Sequence, residues 1–402
     1  MSRLDPQPAE RIDRSKKVEF KFDGKSVTGF EGDTIASALY AQGQRIFSRS
    51  FKYHRPRGIV SASGWTANTL VQDGEWPGVR ATTERAKHGM EIKHQNAWPS
   101  LNFDVMRASD IFGGPFMPAG FYYKTFIWPR SAWPLYEKVL RHAAGLGVMK
   151  KSQAHREWRT DYRRRHCDVL VIGGGVAGLS AAIAAAREGA DVVLVDEDVE
   201  PGGQLLWQGK HEQARKLAEE ARAAGVEIMS SAPALGYFDG MVPVWQGSTL
   251  HQIRAQRHVA ATGSIEQPLV FPNNDLPGVM LTTGALKLAA LYALKPGENA
   301  VIATTGERGL EAALALQAAG VNVIAVADLL PNRSNELTAA VEAAGIQLMR
   351  GMTVVEARGN KHLKGCTLAQ IDENGVAKPG TEERFDCDLL AVSGGTVPAS
   401  SL

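Results

Sequence analysis

The chain has 402 residues, a length that suggests two or three domains at about 150 residues each. Hydrophobic residues make up 44% and charged residues 22%, as in soluble globular proteins, so disordered and fibrous architectures are excluded. Forty-five basic against forty-three acidic residues leave a formal charge of +2, which excludes a dominant electrostatic footprint for nucleic acid. No stretch approaches ~18 consecutive apolar residues, and the charged start over residues 1–17 has no signal core. No membrane span is therefore expected, and the expected compartment is the cytoplasm. Cys167, Cys366 and Cys387 are far apart and form no C-x-x-C, so neither a disulfide framework nor a metal site is written here. Beside strand-like runs, they read as small buried hydrophobes. Glycine, at 41 residues, exceeds the usual ~7% and clusters after apolar runs, which implies tight turns at strand ends.

The first ordered signal covers residues 18–30, two alternating runs joined by Asp23-Gly24, a strong hairpin signature. A helix follows, with Asp33 placed to cap it, Ile35, Ala38 and Leu39 on one face, and Gly43 placed to end it. Hairpin and helix together suggest a small β-grasp, ferredoxin-like domain over residues 1–98. The loop after the helix, where such domains carry a two-iron cluster, has no cysteine and so no cluster ligand. Residues 99–166 read as an aromatic connector and basic linker: Phe112, Phe116, Tyr122, Tyr123, Trp128 and Trp133 follow no clear period and suit docking on another surface. Residues 150–166 hold seven Lys or Arg against two acids. A solvated linker or docking helix explains that run better than a nucleic-acid patch does, because no basic excess exists elsewhere.

At residue 167 an apolar strand runs into Gly173-x-Gly175-x-x-Gly178. A helix of small residues follows, then a second apolar strand ending at Asp196. Gly173 allows the tight turn, Gly175 lets backbone amides approach a pyrophosphate, and Gly178 permits close packing of helix on strand. The pyrophosphate then faces the amides of Val176 and Ala177 at the positive end of the helix. Asp196, beside Glu197, is placed to accept hydrogen bonds from an adenosine ribose. An acid there disfavours a 2′-phosphate, so NAD or FAD is preferred over NADP. Pro201-Gly202-Gly203-Gln204 has the backbone freedom to approach a cofactor, and Ala261-Thr262-Gly263 closes a later apolar stretch. This order is similar to two-dinucleotide flavoproteins of the disulfide-reductase type, which assigns a first dinucleotide-binding domain to residues 167–271 and a nested second one to residues 272–402. In the second, Thr304 takes the first glycine position, with Gly306, Gly309 and a strand-end Asp328 behind it. A threonine there crowds a pyrophosphate, so the expected outcome is the fold without the ligand. The fold class is α/β, with two nested Rossmann-like domains behind a β-grasp domain.

Residues 50–60, 120–126, 173–178 and 387–395 together resemble the alpha subunit family of heterotetrameric sarcosine oxidases, over essentially residues 18–395. Members of that family continue into an aminomethyltransferase-like, folate-binding domain. Relatives among opine and amino-acid dehydrogenase subunits carry cysteines after residue 58. This chain has Ser61, Ser63 and Thr66 nearby instead, which favours the sarcosine oxidase branch. The ending, residues 396–402, departs from the Trp-Asn-Pro typical after the paired glycines. It also leaves no Gly-Asp element for a flavin's ribityl chain. Either the chain is truncated at the return strand, or its first site holds only the adenylate half firmly.

The resemblance implies a complex with beta, gamma and delta subunits that demethylates sarcosine oxidatively to glycine, with formaldehyde or methylene-folate and hydrogen peroxide as the other products. It implies FAD in the beta subunit, FMN between alpha and beta, and NAD without redox role in the site of Gly173, Gly175, Gly178 and Asp196, with FAD as the alternative occupant. His54 and Arg57 are candidates for FMN phosphate contact, with a structural role as the alternative. No amine-oxidising catalytic residue and no metal ligand is assigned. Two other functions compete: a stand-alone FAD-dependent NAD(P)H oxidoreductase, and a non-catalytic dinucleotide-binding scaffold subunit of an amino-acid or opine dehydrogenase.

Overall fold

The computed structural model describes residues 3–112, 120, 127–149 and 159–400. The chain divides into two compact units, one of Met1–Ala154 with Pro268–Gly395 and one of His155–Gln267 with Thr396–Leu402.

The first unit opens with strands β1 (Asp13–Phe22) and β2 (Lys25–Glu31), paired antiparallel. Their turn has Asp23 at φ 51° and Gly24 at φ 78°, the left-handed pair that matches the twist of a two-residue hairpin. Helix α1 (Ile35–Ala41) is capped by Thr34, whose side chain accepts the Ser37 amide while the Ser37 hydroxyl returns the bond. Asp33, the expected cap, is instead buried, accepting the Phe30 amide at 2.8 Å and the Ser37 hydroxyl at 2.6 Å and pairing with Arg3 at 2.6 Å. A carboxylate with a nearby guanidinium satisfies more lone pairs there than at a cap, and Thr34 takes over the helix end. Ile35, Ala38 and Leu39 are buried; complete burial of a side chain such as Ile35 contributes about 1.5–3 kcal/mol.

Short strands β3 (Ser48–Arg49) and β4 (Pro56–Arg57) pair with each other. Strands β5 (Leu70–Asp73), β6 (Trp76–Arg80) and β7 (Glu91–Lys93) complete a five-stranded sheet of order β2-β1-β7-β5-β6, with β7 parallel to β1. This is the β-grasp arrangement. Helices α2 (Ala108–Phe112) and α3 (Trp133–Ala144) follow. Of the aromatic connector, residues 113–119 and 121–126 lie outside the described residues, as do residues 150–158 of the basic run.

The second unit starts with strand β8 (Asp161–Ile172). The end of the basic run is therefore strand, not linker or helix: Asp161–His166 pairs residue by residue with the polar half of β12, Thr249 to Arg254. Arg165 sits between two strand-end acids, 2.8 Å from Asp191 and 3.2 Å from Glu227. After β8 come α4 (Val176–Arg187), β9 (Val192–Val195), α5 (His211–Ala223), β10 (Glu227–Met229), β11 (Met241–Gln246), β12 (Thr249–Ala260) and β13 (Ser264–Glu266). The sheet order is β10-β9-β8-β12-β11, parallel except for β11. Leu170, Val193, Leu194 and Ile253 are wholly enclosed. Strands buried on both faces read as unbroken apolar runs, as β9 does.

The chain then returns to the first unit. There β14 (Val279–Leu281), α6 (Thr282–Tyr292), β15 (Asn299–Thr304), α7 (Glu307–Ala318), β16 (Asn322–Asp328), α8 (Glu336–Ala343) and β17 (Gln347–Arg350) lead to the antiparallel strands β18 (Met352–Gly359), β19 (Leu363–Gln370) and β20 (Glu383–Phe385), and then to β21 (Leu389–Ser393). The main sheet is parallel, of order β14-β21-β15-β16-β17. Cys366 and Cys387 lie in its core with sulfurs 4.0 Å apart, both free thiols. This part and the β-grasp part hold each other closely. Leu4 donates to the Ala293 carbonyl at 2.7 Å, Leu281 donates to that of Val60 at 2.9 Å, and the Tyr40 hydroxyl donates to that of Pro296.

The last strand, β22 (Thr396–Pro398), pairs antiparallel with β13. Residues 396–400, grouped by sequence with the nested domain, thus run back to the second unit.

Candidate functional site

The glycine loop after β8 is held by its own backbone. Gly173 has φ 105° and donates to the Val195 carbonyl at 2.8 Å, and an added Cβ there would lie 2.3 Å from the Ala261 oxygen. At Gly178 an added Cβ would come within 1.8 Å of the Gly173 oxygen, which is the close helix-strand approach that only glycine allows. Gly175 differs. It is the N-cap of α4, in extended conformation, with no side chain capping the helix, and an added Cβ there would meet nothing within 4 Å. The amides of the first helical turn lack intrahelical partners, and here they face open space beside exposed Val176 and Ala177. A pyrophosphate fits such a place: backbone donors, the positive helix end and no side chain in the way.

The second glycine pair closes on this loop. Gly202 donates to the Gly174 carbonyl at 2.7 Å, and Gly203, at φ 55°, would place a Cβ 2.9 Å from the Gly175 Cα. Gln204, in the short 3-10 turn Gly203–Leu206, is exposed. Thr262 and Gly263 stand just after β12, where the Thr262 hydroxyl donates to the Ala399 carbonyl and Ala399 donates to Gly263 at 3.0 Å.

Asp196 follows β9 as expected, but its carboxylate turns back onto the loop. It accepts the amide of Gly174 on one oxygen and that of Asp198, at 2.7 Å, on the other. Burial pushes its carboxyl up to about 6 despite those two bonds. Each oxygen retains acceptor capacity. Glu197 points to solvent. Gly174 and Asp198 are the residues that sequence reasoning missed. The only signal for Gly174 was its place inside the glycine run.

The loop after β15 shares the topology, and at its helix N-cap, Gly306, an added Cβ likewise meets nothing within 4 Å, but its own side chains bond its polar groups. The Thr304 hydroxyl accepts the Gly306 amide at 3.1 Å and donates to the Gly306 carbonyl at 2.8 Å, and an added Cβ at Gly309 would lie 2.3 Å from the Thr304 Cβ. Asp328 is fully enclosed and paired with Arg333 at 2.6 Å, and Arg333 also donates to the Thr305 carbonyl at 3.2 Å.

Elsewhere, His54 is buried 2.7 Å from Asp104, and Arg57 is paired with Asp275. Burial alone would raise the Asp104 carboxyl, but the bonds from His54 and the Trp98 and Met106 amides hold it below its ordinary range. Both side chains are thus engaged with the fold. A cleft of about 720 Å³ in the first unit is lined by residues that include Arg45, Lys361, Cys387 and Asp388 and by none of the glycine-loop residues. Among the described residues no group of three or more His, Cys, Asp or Glu is placed to hold a metal, and no helix is long and apolar enough to cross a membrane.

Comparison with known proteins agrees with this arrangement. Residues 167–402 match the family described as pyridine nucleotide-disulphide oxidoreductase, a dinucleotide-binding oxidoreductase domain, and residues 15–97 match the 2Fe-2S iron-sulfur cluster binding domain. The sarcosine oxidase subunit alpha of Rhizobium meliloti (strain 1021) is 38% identical over 419 residues, covering 96% of this chain and 40% of that protein. That of Corynebacterium sp. (strain P-1) is 33% identical over 424 residues, covering 98% and 39%. The chain spans about two fifths of the length of these relatives. The crystal structure of L-proline dehydrogenase from P.horikoshii covers 98% of this chain, and 63% of its own, at a TM-score of 0.63 and 22% identity, a likeness of fold. The 2Fe-2S match falls on a segment without cysteine, and even two-iron clusters that take two imidazoles keep two thiolates; the residues present do not fit that group. The chain belongs to the pyridine nucleotide-disulphide oxidoreductase family, as an oxidoreductase homologous along its length to part of the sarcosine oxidase alpha subunit.

Proposed function

We propose that this chain acts in the cytoplasm as the NAD-binding alpha-type subunit of a sarcosine oxidase complex. The observation that carries the reading is the open space at Gly175, bounded by backbone and uncapped helix amides, in a chain 38% identical to a sarcosine oxidase alpha subunit. Gly173 sets the turn. The amides of Val176, Ala177 and Gly178 take the pyrophosphate, Asp196 takes the adenosine ribose, and Gly203, Gln204, Thr262 and Gly263 border the remainder. A nicotinamide dinucleotide bound in such a site supplies hydride chemistry in general; here it is held without turnover. No base for amine oxidation is assigned to this chain.

In the proposed complex, sarcosine is demethylated to glycine with formaldehyde or methylene-folate and hydrogen peroxide, on FAD of a beta subunit and FMN between alpha and beta, with gamma and delta completing the assembly. The exposed Trp98, Phe103 and Trp128, at 64%, 67% and 81% of their surface, support a covered surface of this kind, because large apolar side chains left in water mark interaction sites.

The test is to purify the chain without added cofactor and identify the nucleotide released on denaturation by mass spectrometry. NAD is the expected result. FAD with a visible flavin spectrum turns the assignment to a stand-alone flavin reductase, and an empty protein turns it to a scaffold.

A further inference from the structure

Plant-type two-iron clusters are held by cysteines spaced C-x4-C-x2-C, with a fourth farther on. In the segment matching that domain, hydroxyl residues repeat the spacing: Ser61, Thr66 and Thr69, then Thr82. Thr69 and Thr82 flank the β5–β6 hairpin at its open end, where Ala81 donates to the Thr69 carbonyl at 2.9 Å. The structure draws the four into two pairs. Ser61 Oγ is hydrogen-bonded to Thr66 Oγ1, and Thr69 Oγ1 lies 3.3 Å from Thr82 Oγ1. Ser63 joins the pairs, with its hydroxyl 2.7 Å from that of Ser61 and its carbonyl accepting the Thr82 hydroxyl at 3.1 Å. Thr66, Thr69 and Thr82 are buried. Ala62, inside the loop, holds φ 47°, a left-handed conformation uncommon for a residue with a Cβ.

We propose that Ser61, Thr66, Thr69 and Thr82 stand at the four ligand positions of a two-iron cluster, and that in this chain their hydroxyls bond one another in its place, so that hydrogen bonds close the loop. The chemistry supports replacement of the whole set. Clusters take soft thiolates, whereas a hydroxyl both donates and accepts, so four of them can satisfy one another in a dry site. Four thiols without iron would be weak donors and would leave buried oxygens such as the Ser63 carbonyl poorly paired. A partial replacement would leave too few thiolates for a cluster and too few hydroxyls for a network. The backbone meanwhile keeps its place, because Gly284 lets the nested part approach the Val60 oxygen so closely that an added Cβ would lie 2.4 Å from it.

The test restores sulfur at all four positions in the full chain, as S61C/T66C/T69C/T82C, followed by anaerobic reconstitution with ferrous iron and sulfide. The expected result is about two irons and two sulfides per chain, a visible charge-transfer spectrum, and a paramagnetic signal on one-electron reduction, with the unaltered chain taking up none. A quadruple variant with native circular dichroism that binds no iron overturns the proposal, as does stoichiometric iron in the unaltered chain. Should the quadruple variant fail to fold, the double variants S61C/T66C and T69C/T82C test the pairing alone. Copper-phenanthroline oxidation is expected to link each pair, located by peptide mapping as a loss of two hydrogens, and failure of either pair to link overturns the proposal.

Discussion

After β8 the chain turns through Gly173, Gly174 and Gly175 into α4; after β15 it turns through Thr304, Thr305 and Gly306 into α7. Both loops leave a parallel strand, both enter a helix without a side-chain cap, and both face an acid at the end of the next strand. They part in what occupies the turn. Gly175 and Gly306 both border open space, but in the first loop the acid, Asp196, is bonded by main-chain amides. In the second, Thr304 takes up the Gly306 amide and Arg333 takes up Asp328. The same crossover topology thus carries two loops whose polar groups are engaged differently, and topology alone does not count ligands.

The largest effect expected from this contrast is at Arg333. Arg333→Met leaves the enclosed Asp328 carboxylate without its cation, and removal of one partner of a buried pair costs about 3–5 kcal/mol. Denaturant unfolding measures it, and a loss below ~1 kcal/mol would show that the pair does not hold the second loop. Next come the two glycines of the first loop, which separate packing from binding. Gly178→Ala drives a methyl into the Gly173 carbonyl and is expected to cost about 1–3 kcal/mol in stability. Gly175→Val has room and an allowed backbone, so its melting temperature should match the parent without nucleotide. Its dinucleotide affinity should fall at least tenfold, about 1.4 kcal/mol by calorimetry. An unchanged affinity would move the pyrophosphate elsewhere.

Smaller again is Thr304→Val, which removes one hydroxyl at nearly constant volume. It should cost about 1 kcal/mol and leave the amount of nucleotide per chain as it was. A second equivalent of bound nucleotide would break the contrast between the loops. The subtlest test is a pH profile. The carboxyl of Asp196 in the folded chain lies at about 6, above its ordinary 3.8, so its contribution to stability is full below about pH 4 and is lost as pH rises through about 6. The difference in unfolding free energy between the parent and Asp196→Asn should therefore shift against the parent across that interval; a flat difference would mean that the carboxylate is not buried as described.

What the sequence made legible was whatever a short window determines. Asp23-Gly24 between alternating runs predicts its hairpin because two left-handed residues are needed there. The glycines at 173, 175 and 178 predict strand, turn and helix because their spacing marks the crossover, and Gly178 answers to Gly173 close by in the chain. Features that depend on distant partners were not legible. Asp33 is in the right place for a cap, but Arg3 draws it away and Thr34 serves instead. Residues 161–166 look like linker because their charges hide a strand whose register is set by β12, almost ninety residues later. The internal bonds of Thr304 were half visible, as a misplaced threonine, but its hydroxyl's engagement with Gly306 was not. Asp196 was correctly placed on the chain, yet its two amide bonds depend on how the loops beside it fold.

The pairing of β13 with β22 has a consequence for how the molecule is made. The two strands are neighbours in one sheet, yet all of Pro268–Gly395 is translated between them. During synthesis β13 must wait with neither edge paired while that long insertion emerges and folds. Bare strand edges invite pairing with other chains, so this is the moment at which a growing chain is most exposed to aggregation. Slower translation through the insertion would lengthen that interval, whereas a short peptide copying Thr396–Pro398 and its neighbours would shield the waiting edge.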